Sequence, residues 1–492
     1  MSLLALVLFP TLLGLLALMA PAAGARRTLL VGGALLQSAL VAAVLAGAAG
    51  HGAAGADTAA PSALGGWLAL DALGTLFLAT ITGLFLVVSL HAQAAVRGGG
   101  GAARAFVPCL FWFLAAMTLV TLSQHVGVLW VGVEATTLAS APLVYHHRDA
   151  HALEAAWKYL LLCSVGIALA LLGTFLLALA AGGARGPVPL TVDRLVAMGP
   201  HLDRKLLAGA FVFLLVGYGT KMGLAPLHTW LPDAHSQAPA AASALLSGAL
   251  LSCAFLALLR GWQVCAAAGL GPFAARLFVF FGLLSLGLSA AFIVGQGDYK
   301  RLLAYSSMEH MGILALGVGI GGAATYGAML HALNHSLAKG LLFLVAGNIL
   351  AVYGSRATAD VRGVLRRLPG SGILWVAGFF ALAGSPPFGL FISEITILRG
   401  ILEQGRWAVA AIYLAALAAV FAGMSSIVLR MAQGQPSEDE LRATAPERWS
   451  ALAPPLVLAA AVLLLGLWIP APLDRLLHAA AALLAPGAGG HA

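Results

Sequence analysis

Charge is what this sequence has least of. Only 9% of its 492 residues are charged, while 61% are hydrophobic; an ordinary soluble domain carries about 25% charged residues. A chain of this length folded in water would form several domains, each needing a polar surface that these residues are too few to cover. A soluble globular enzyme and a disordered binder are thereby excluded, and the solvent for most of the chain is lipid. Cysteine is scarce as well. Cys109, Cys163, Cys253 and Cys265 lie in or beside apolar runs without CxxC spacing, which argues against a disulfide framework, a zinc site or an iron–sulfur cluster and leaves them as small core residues. The net charge of +8 comes from dispersed Lys and Arg. No basic block is interleaved with aromatics, so nucleic acid is not a partner. The glycine runs at 98–101 and 319–322 lack the strand–helix setting of a phosphate loop and read as turns.

What is present is a succession of apolar runs. A membrane-crossing helix needs about 20 such residues. Runs of that kind fall near 2–20, 28–49, 66–90, 105–123, 126–144, 154–181, 206–227, 239–260, 273–295, 302–320, 325–352, 372–397, 407–430 and 452–470. The expected fold is therefore an all-α polytopic membrane protein with about fourteen transmembrane helices. The first run lacks the basic start of a signal peptide and is expected to be a retained helix. No loop is long enough to hold a soluble domain. Lys and Arg, with Arg260 counted among the outside loops and Lys300 among the inside ones, are in excess on the side that places both termini outside the membrane.

A few charges fall inside the apolar spans: Glu134, Lys158, Lys221, Lys339 and Glu394, with Glu309 and His310 several residues into theirs. A charge at a helix centre costs about 2.5–3.5 kcal/mol on insertion scales. Snorkelling, or an ion pair that locks helices together, accounts for one or two such residues. It accounts less well for five or six on separate helices.

Two of them adjoin helix breakers. Lys221 sits in GYGTKMGLAP (217–226), and Glu394 follows AGSPPFG (383–389). Proline removes a helical hydrogen bond, and a broken helix at membrane depth is tolerated only where it is buried in protein or lines a wet cavity. A broken helix beside an ionisable group, present twice, is a transporter signature. The spacing agrees. Lys221 and Glu394 are 173 residues apart, Glu134 and Glu309 are 175 apart, and both intervals advance five spans. Five is odd, so the second copy is inverted. The expected organisation is three N-terminal helices over 1–104, a first five-helix repeat over 105–262, its inverted copy over 273–430, and a C-terminal loop and helix over 431–492.

The segment HALNHSLAK (331–339) places His331, His335 and Lys339 at i, i+4 and i+8, along one helix face. Neutral imidazole both donates and accepts a proton, so a stripe of this kind inside a membrane points to a proton relay. A metal site would need a carboxylate or a third histidine close by. A bis-histidine haem would need a matching pair on a facing helix, and none is apparent.

The strings GYGTKMGLAPLHTWLPDAH (217–235), DYKRLLAYSSMEHMG (298–312) and 331–339 together resemble the proton-translocating antiporter-like subunits of respiratory complex I, Mrp-type antiporters and group 4 hydrogenases. The resemblance covers roughly 60–430. It is nearest to the F-type subunit of hydrogenase-4 and formate hydrogenlyase. It implies that Glu134 is the essential glutamate of helix 5, pairing with Lys221 of broken helix 7. It makes His331, His335 and Lys339 the helix 11 relay and Glu394 the terminal group of broken helix 12. Lys158 joins the proton-transfer set, and Asp233, Glu309 and His310 support it. The chain departs from the family at helix 8, where 243–252 offers hydroxyls in place of a Lys or His.

The implied role is a proton-conducting subunit without catalysis or cofactor of its own, in a bacterial or archaeal cytoplasmic membrane. Nickel–iron and iron–sulfur centres would belong to a peripheral redox module, with further membrane subunits as partners and protons, or sodium, as cargo. An M-type complex I subunit and an Mrp antiporter subunit are the alternatives within the family. A non-conducting scaffold and a solute carrier are the alternatives outside it.

Overall fold

In a computed structural model of the chain, described over residues 2–52, 62–96, 101–182, 190–436 and 445–485, nearly all regular structure is helical. Most of the glycine run at 98–101 lies outside the described residues. The helices, numbered by span, are α1 (Leu3–Met19), α2 (Ala23–Gly52), α3 (Ala72–Val96), α4 (Gly101–Leu122), α5 (Val126–Val144), α6 (Ala150–Ala181), α7 (Arg204–Met222 and Trp230–Gln237) and α8 (Ala240–Ala267). They continue with α9 (Gly271–Ile293), α10 (Tyr299–Ile320), α11 (Ala323–Tyr353), α12 (Pro369–Leu382 and Gly389–Glu403), α13 (Trp407–Ala432), α14 (Trp449–Leu467) and α15 (Ala471–Ala482).

Eleven helices among the described residues are long and apolar enough to cross a bilayer, fewer than the fourteen expected from hydropathy. The difference has a physical basis. α1 has 17 residues, α10 carries Lys300, Arg301 and Glu309, and α12 is split into short halves. α15 was not expected. It packs on α3 and α11, and Tyr326 donates to its Asp474 at 2.6 Å.

Both anticipated breaks occur. In α7 the chain leaves the helix at Gly223, whose φ of 80° suits glycine. The backbone groups released there find partners: Trp230 Nε1 donates to the Thr220 carbonyl at 2.8 Å, and Ala225 N donates to Ser285 Oγ at 3.0 Å. In α12 the break falls at Gly384, where φ is 60°; Ser385 N donates to the Phe380 carbonyl and Phe388 N to that of Ser385. Such substitution is what permits irregular backbone within an apolar interior. The two breaks lie five helices apart. Packing follows the same interval, with α4 on α5 as α9 is on α10, and α6 on α7 as α11 is on α12.

α8 occupies the centre and is buried along its length, which accounts for its apolar residues not being confined to one face. α6, α13 and α14 instead present large apolar side chains outward, among them Val165, Phe175, Trp407 and Leu467, as lipid-facing helices do. Among the charges assigned to loops from the sequence, Arg26, Arg260 and Lys300 are buried. Arg260 is 1% exposed and grips Asp71 through both terminal nitrogens, at 2.5 and 2.8 Å. Lys300 is also 1% exposed and donates to the carbonyls of Ser236 and Ala238 at the end of the second α7 segment, where a cation complements the helix dipole.

Candidate functional site

The first polar centre is built by α5, α6 and α7. Because the α7 helix stops at Gly223, Lys221 ends in the last turn, fully buried. Its ammonium donates to Thr137 Oγ1 and to Tyr159 OH, both at 2.7 Å, and lies 4.6 Å from the centre of the Tyr159 ring. Thr137 in turn donates to Glu134 Oε2 at 3.2 Å, and Ser164 donates to Glu134 Oε1 at 3.3 Å. Glu134 and Lys221 are thus joined through a threonine hydroxyl. Thr137 stands three residues beyond Glu134, on the same helical face, so its position was legible once Glu134 had been singled out. Tyr159 and Ser164 come from α6, and no spacing rule points to them.

Lys158 lies elsewhere. Its side chain is 47% exposed and is paired with Glu154 at 2.6 Å and Asp233 at 3.1 Å. Asp233 also holds Arg301 at 2.5 Å. These residues line a polar cavity of about 280 Å³ with His151, Ser236 and Gln237. Asp233 thereby ties the second α7 segment to α6 and α10.

The second centre is formed by α10 and α11. Lys339, fully buried, donates to the Leu303 carbonyl at 2.8 Å and to Ser306 Oγ. Leu303, Ser306 and His310 share one face of α10, set against the His331–His335–Lys339 stripe of α11. His310 sits between the two α11 imidazoles, with ring centres 5.1 Å from His331 and 5.2 Å from His335. His310 Nδ1 and His331 Nε2 are 2.9 Å apart, and His331 Nδ1 is 2.9 Å from Ser393 Oγ on α12. Glu309 is buried next to His310.

Glu394 follows Ser393 and is 7% exposed. It reaches the α12 break, where its carboxylate occupies the space a Cβ on Gly384 would need, and it lines a cavity of about 330 Å³ with Ser385, Pro386 and Tyr413. Between the two lysine centres α8 supplies hydroxyls. Ser247 bonds Ser307 at 2.8 Å, and Ser252 is 3.5 Å from Ser336. The fully buried His235 stacks on Phe343. Site residues thus come from α5, α6, α7, α10, α11 and α12, and Lys158 alone of the expected set is exposed.

A profile described as the NADH:quinone oxidoreductase/Mrp antiporter transmembrane family matches residues 123–422, which include every group just described. A hydrogenase-4 component F homolog from Methylacidiphilum infernorum (isolate V4) is 38% identical over 332 residues, 66% of this chain and 69% of that one. The fold is that of a chain in an archaeal membrane-bound sulfane sulfur reductase, with a TM-score of 0.87 and 21% identity over 98% of this chain and 96% of that chain. A chain of the Mrp complex from Dietzia sp. DQ12-45-1b aligns over 98% of both chains, with a TM-score of 0.82 and 22% identity.

Proposed function

Because the chain belongs to the NADH:quinone oxidoreductase/Mrp antiporter transmembrane family, we propose that it is the proton-translocating membrane subunit of an energy-converting oxidoreductase complex of hydrogenase-4 or formate hydrogenlyase type. The observation that carries this reading is the Glu134–Thr137–Lys221 chain of hydrogen bonds inside an apolar protein. A carboxylate and an ammonium linked by a rotatable hydroxyl form a pair that can be broken and remade without exposing either to lipid. The two bonds, 2.7 and 3.2 Å long, bring the charges within about 6 Å, so they attract by about 3 kcal/mol at an effective dielectric constant near 20. Withdrawal of Glu134 removes that support, and Lys221 then passes its proton toward the α8 hydroxyls and Lys339.

From Lys339 the route continues over the α11 imidazoles to Glu394 and its cavity. His310, interposed from α10, adds a third imidazole, and Ser393 couples α12 to the row. Hydroxyls on α8 and α10 bridge the stretch between Lys221 and Lys339 in this reading. Both termini lie outside in this reading, the redox centres reside in a peripheral module, and other membrane subunits flank the chain. Glu134→Gln and Lys221→Ala should each abolish proton uptake in proteoliposomes holding the assembled complex. Unchanged uptake in either variant would overturn the axis. Purification with a nickel–iron subunit supports the hydrogenase assignment, whereas an NADH-oxidising module or Mrp subunits would replace it.

A further inference from the structure

The imidazole row ends in a donor set whose composition suits a metal ion as well as a proton. One nitrogen each of His310 and His331 and one carboxylate oxygen of Glu394 all lie within 4.8 Å of one another, and all three residues are buried. We propose that these three residues form a binding site for a divalent transition-metal ion of the zinc class, placed at the end of the polar axis.

Three observations point to this. The first is the chemistry of the set: two imidazoles and a carboxylate are a known zinc ligand combination that leaves a fourth position open, and imidazole favours Zn²⁺ over Mg²⁺ or Ca²⁺.

The second is the proton count. Ser393 Oγ donates its one hydrogen to the Leu390 carbonyl at 2.8 Å, so it accepts from His331 Nδ1–H. His331 Nε2 is then a bare lone pair, facing the cluster. His310 Nδ1–H fills it, and His310 Nε2 is left as a lone pair with no hydrogen-bond partner in a residue that is 1% exposed. Such a buried, unpaired acceptor is costly, and coordination to a metal ion would satisfy it. The Ser393 bond also fixes the His331 ring, as outer-shell partners of metal ligands do.

The third is access. Glu394 belongs both to the cluster and to the wall of the 330 Å³ cavity, so an ion meets the carboxylate first. Coordination exchanges the His310–His331 hydrogen bond for metal–nitrogen bonds, and the three ligand atoms, now within 4.8 Å of one another, close to about 3.3 Å around a tetrahedral ion with bonds near 2.0 Å.

Zinc held there would also withdraw His331 and Glu394 from proton transfer. That consequence rests on the proposed function, whereas binding does not.

The test uses the full chain in nanodiscs, carrying a tag without histidine, loaded with zinc chloride and dialysed. The expected result is one tightly held zinc per chain, whose X-ray absorption spectrum reports an imidazole and oxygen shell at about 2.0–2.1 Å. His310→Ala and the isosteric Glu394→Gln should each weaken binding at least tenfold, while His478→Ala, at an exposed position, leaves it unchanged. Wild-type affinity no better than that of Glu394→Gln, or a sulfur shell, would overturn the site. Proton uptake measured with and without zinc separates the two readings. Zinc bound with uptake undiminished upholds the site and counts against the proton route, and uptake abolished by Glu134→Gln without any zinc binding does the reverse.

Discussion

Thr137 offers the sharpest test of how Glu134 and Lys221 communicate. Its hydroxyl accepts from the Lys221 ammonium at 2.7 Å and donates to the Glu134 carboxylate at 3.2 Å. Thr137→Val keeps the side-chain shape and removes both bonds. Glu134 retains Ser164 and Lys221 retains Tyr159, so neither charge is stranded and folding should survive. A hydrogen bond to a charged group is worth about 1.5–3 kcal/mol. If the loss of one bond falls on the transfer step, uptake slows about 10- to 150-fold. The assay is quenching of a ΔpH-sensitive dye in proteoliposomes, with the assembled complex quantified on native gels. Thr137→Ser, which restores the hydroxyl, should run near the wild-type rate. A Thr137→Val complex that assembles normally and pumps at the wild-type rate would refute a threonine-bridged pair.

Three further outcomes are expected. Lys158→Ala should leave proton uptake near normal, because Lys158 pairs with Glu154 and Asp233 at an exposed site away from Lys221; abolished uptake at normal assembly would return it to the axis. Asp71→Ala strands the buried Arg260 guanidinium and should destabilise the chain by about 3–5 kcal/mol, seen as a lower melting temperature in detergent. The double variant Asp71→Ala with Arg260→Leu should recover much of that loss, since an apolar replacement of a buried pair is often neutral. Gly384→Ala places a Cβ where the Glu394 carboxylate now lies, at a backbone φ of 60°. It should depress uptake with assembly retained, and normal uptake would show that Glu394 is free to move.

The membrane class, the breaks in α7 and α12 and most buried ionisable residues were legible in the sequence, each for a local reason. Insertion costs make a charge in an apolar run conspicuous, proline and glycine mark where a helix must stop, and a stripe at i, i+4, i+8 follows from helical pitch alone. Where the sequence reading went astray, the missing information was the identity of the neighbouring helix. Arg260 and Lys300 look like loop charges because each lies near the end of an apolar run. Only the approach of Asp71, just before α3, and of the 236 and 238 carbonyls at the end of the second α7 segment, turns them into buried anchors. Lys158 looks buried because its run is apolar, yet its face of α6 points outward.

By itself, then, the sequence determined that lipid is the solvent, that about half a dozen ionisable groups are kept from it, and which helices are interrupted beside them. Those are properties of single helices, set by transfer free energy and backbone hydrogen bonding. The tertiary structure decided what the groups do to one another: Thr137 between Glu134 and Lys221, His310 between two imidazoles of another helix, and Glu394 brought to His310 and His331 by the broken α12. Contacts between helices depend on packing across the bundle, and no periodicity within one helix encodes them.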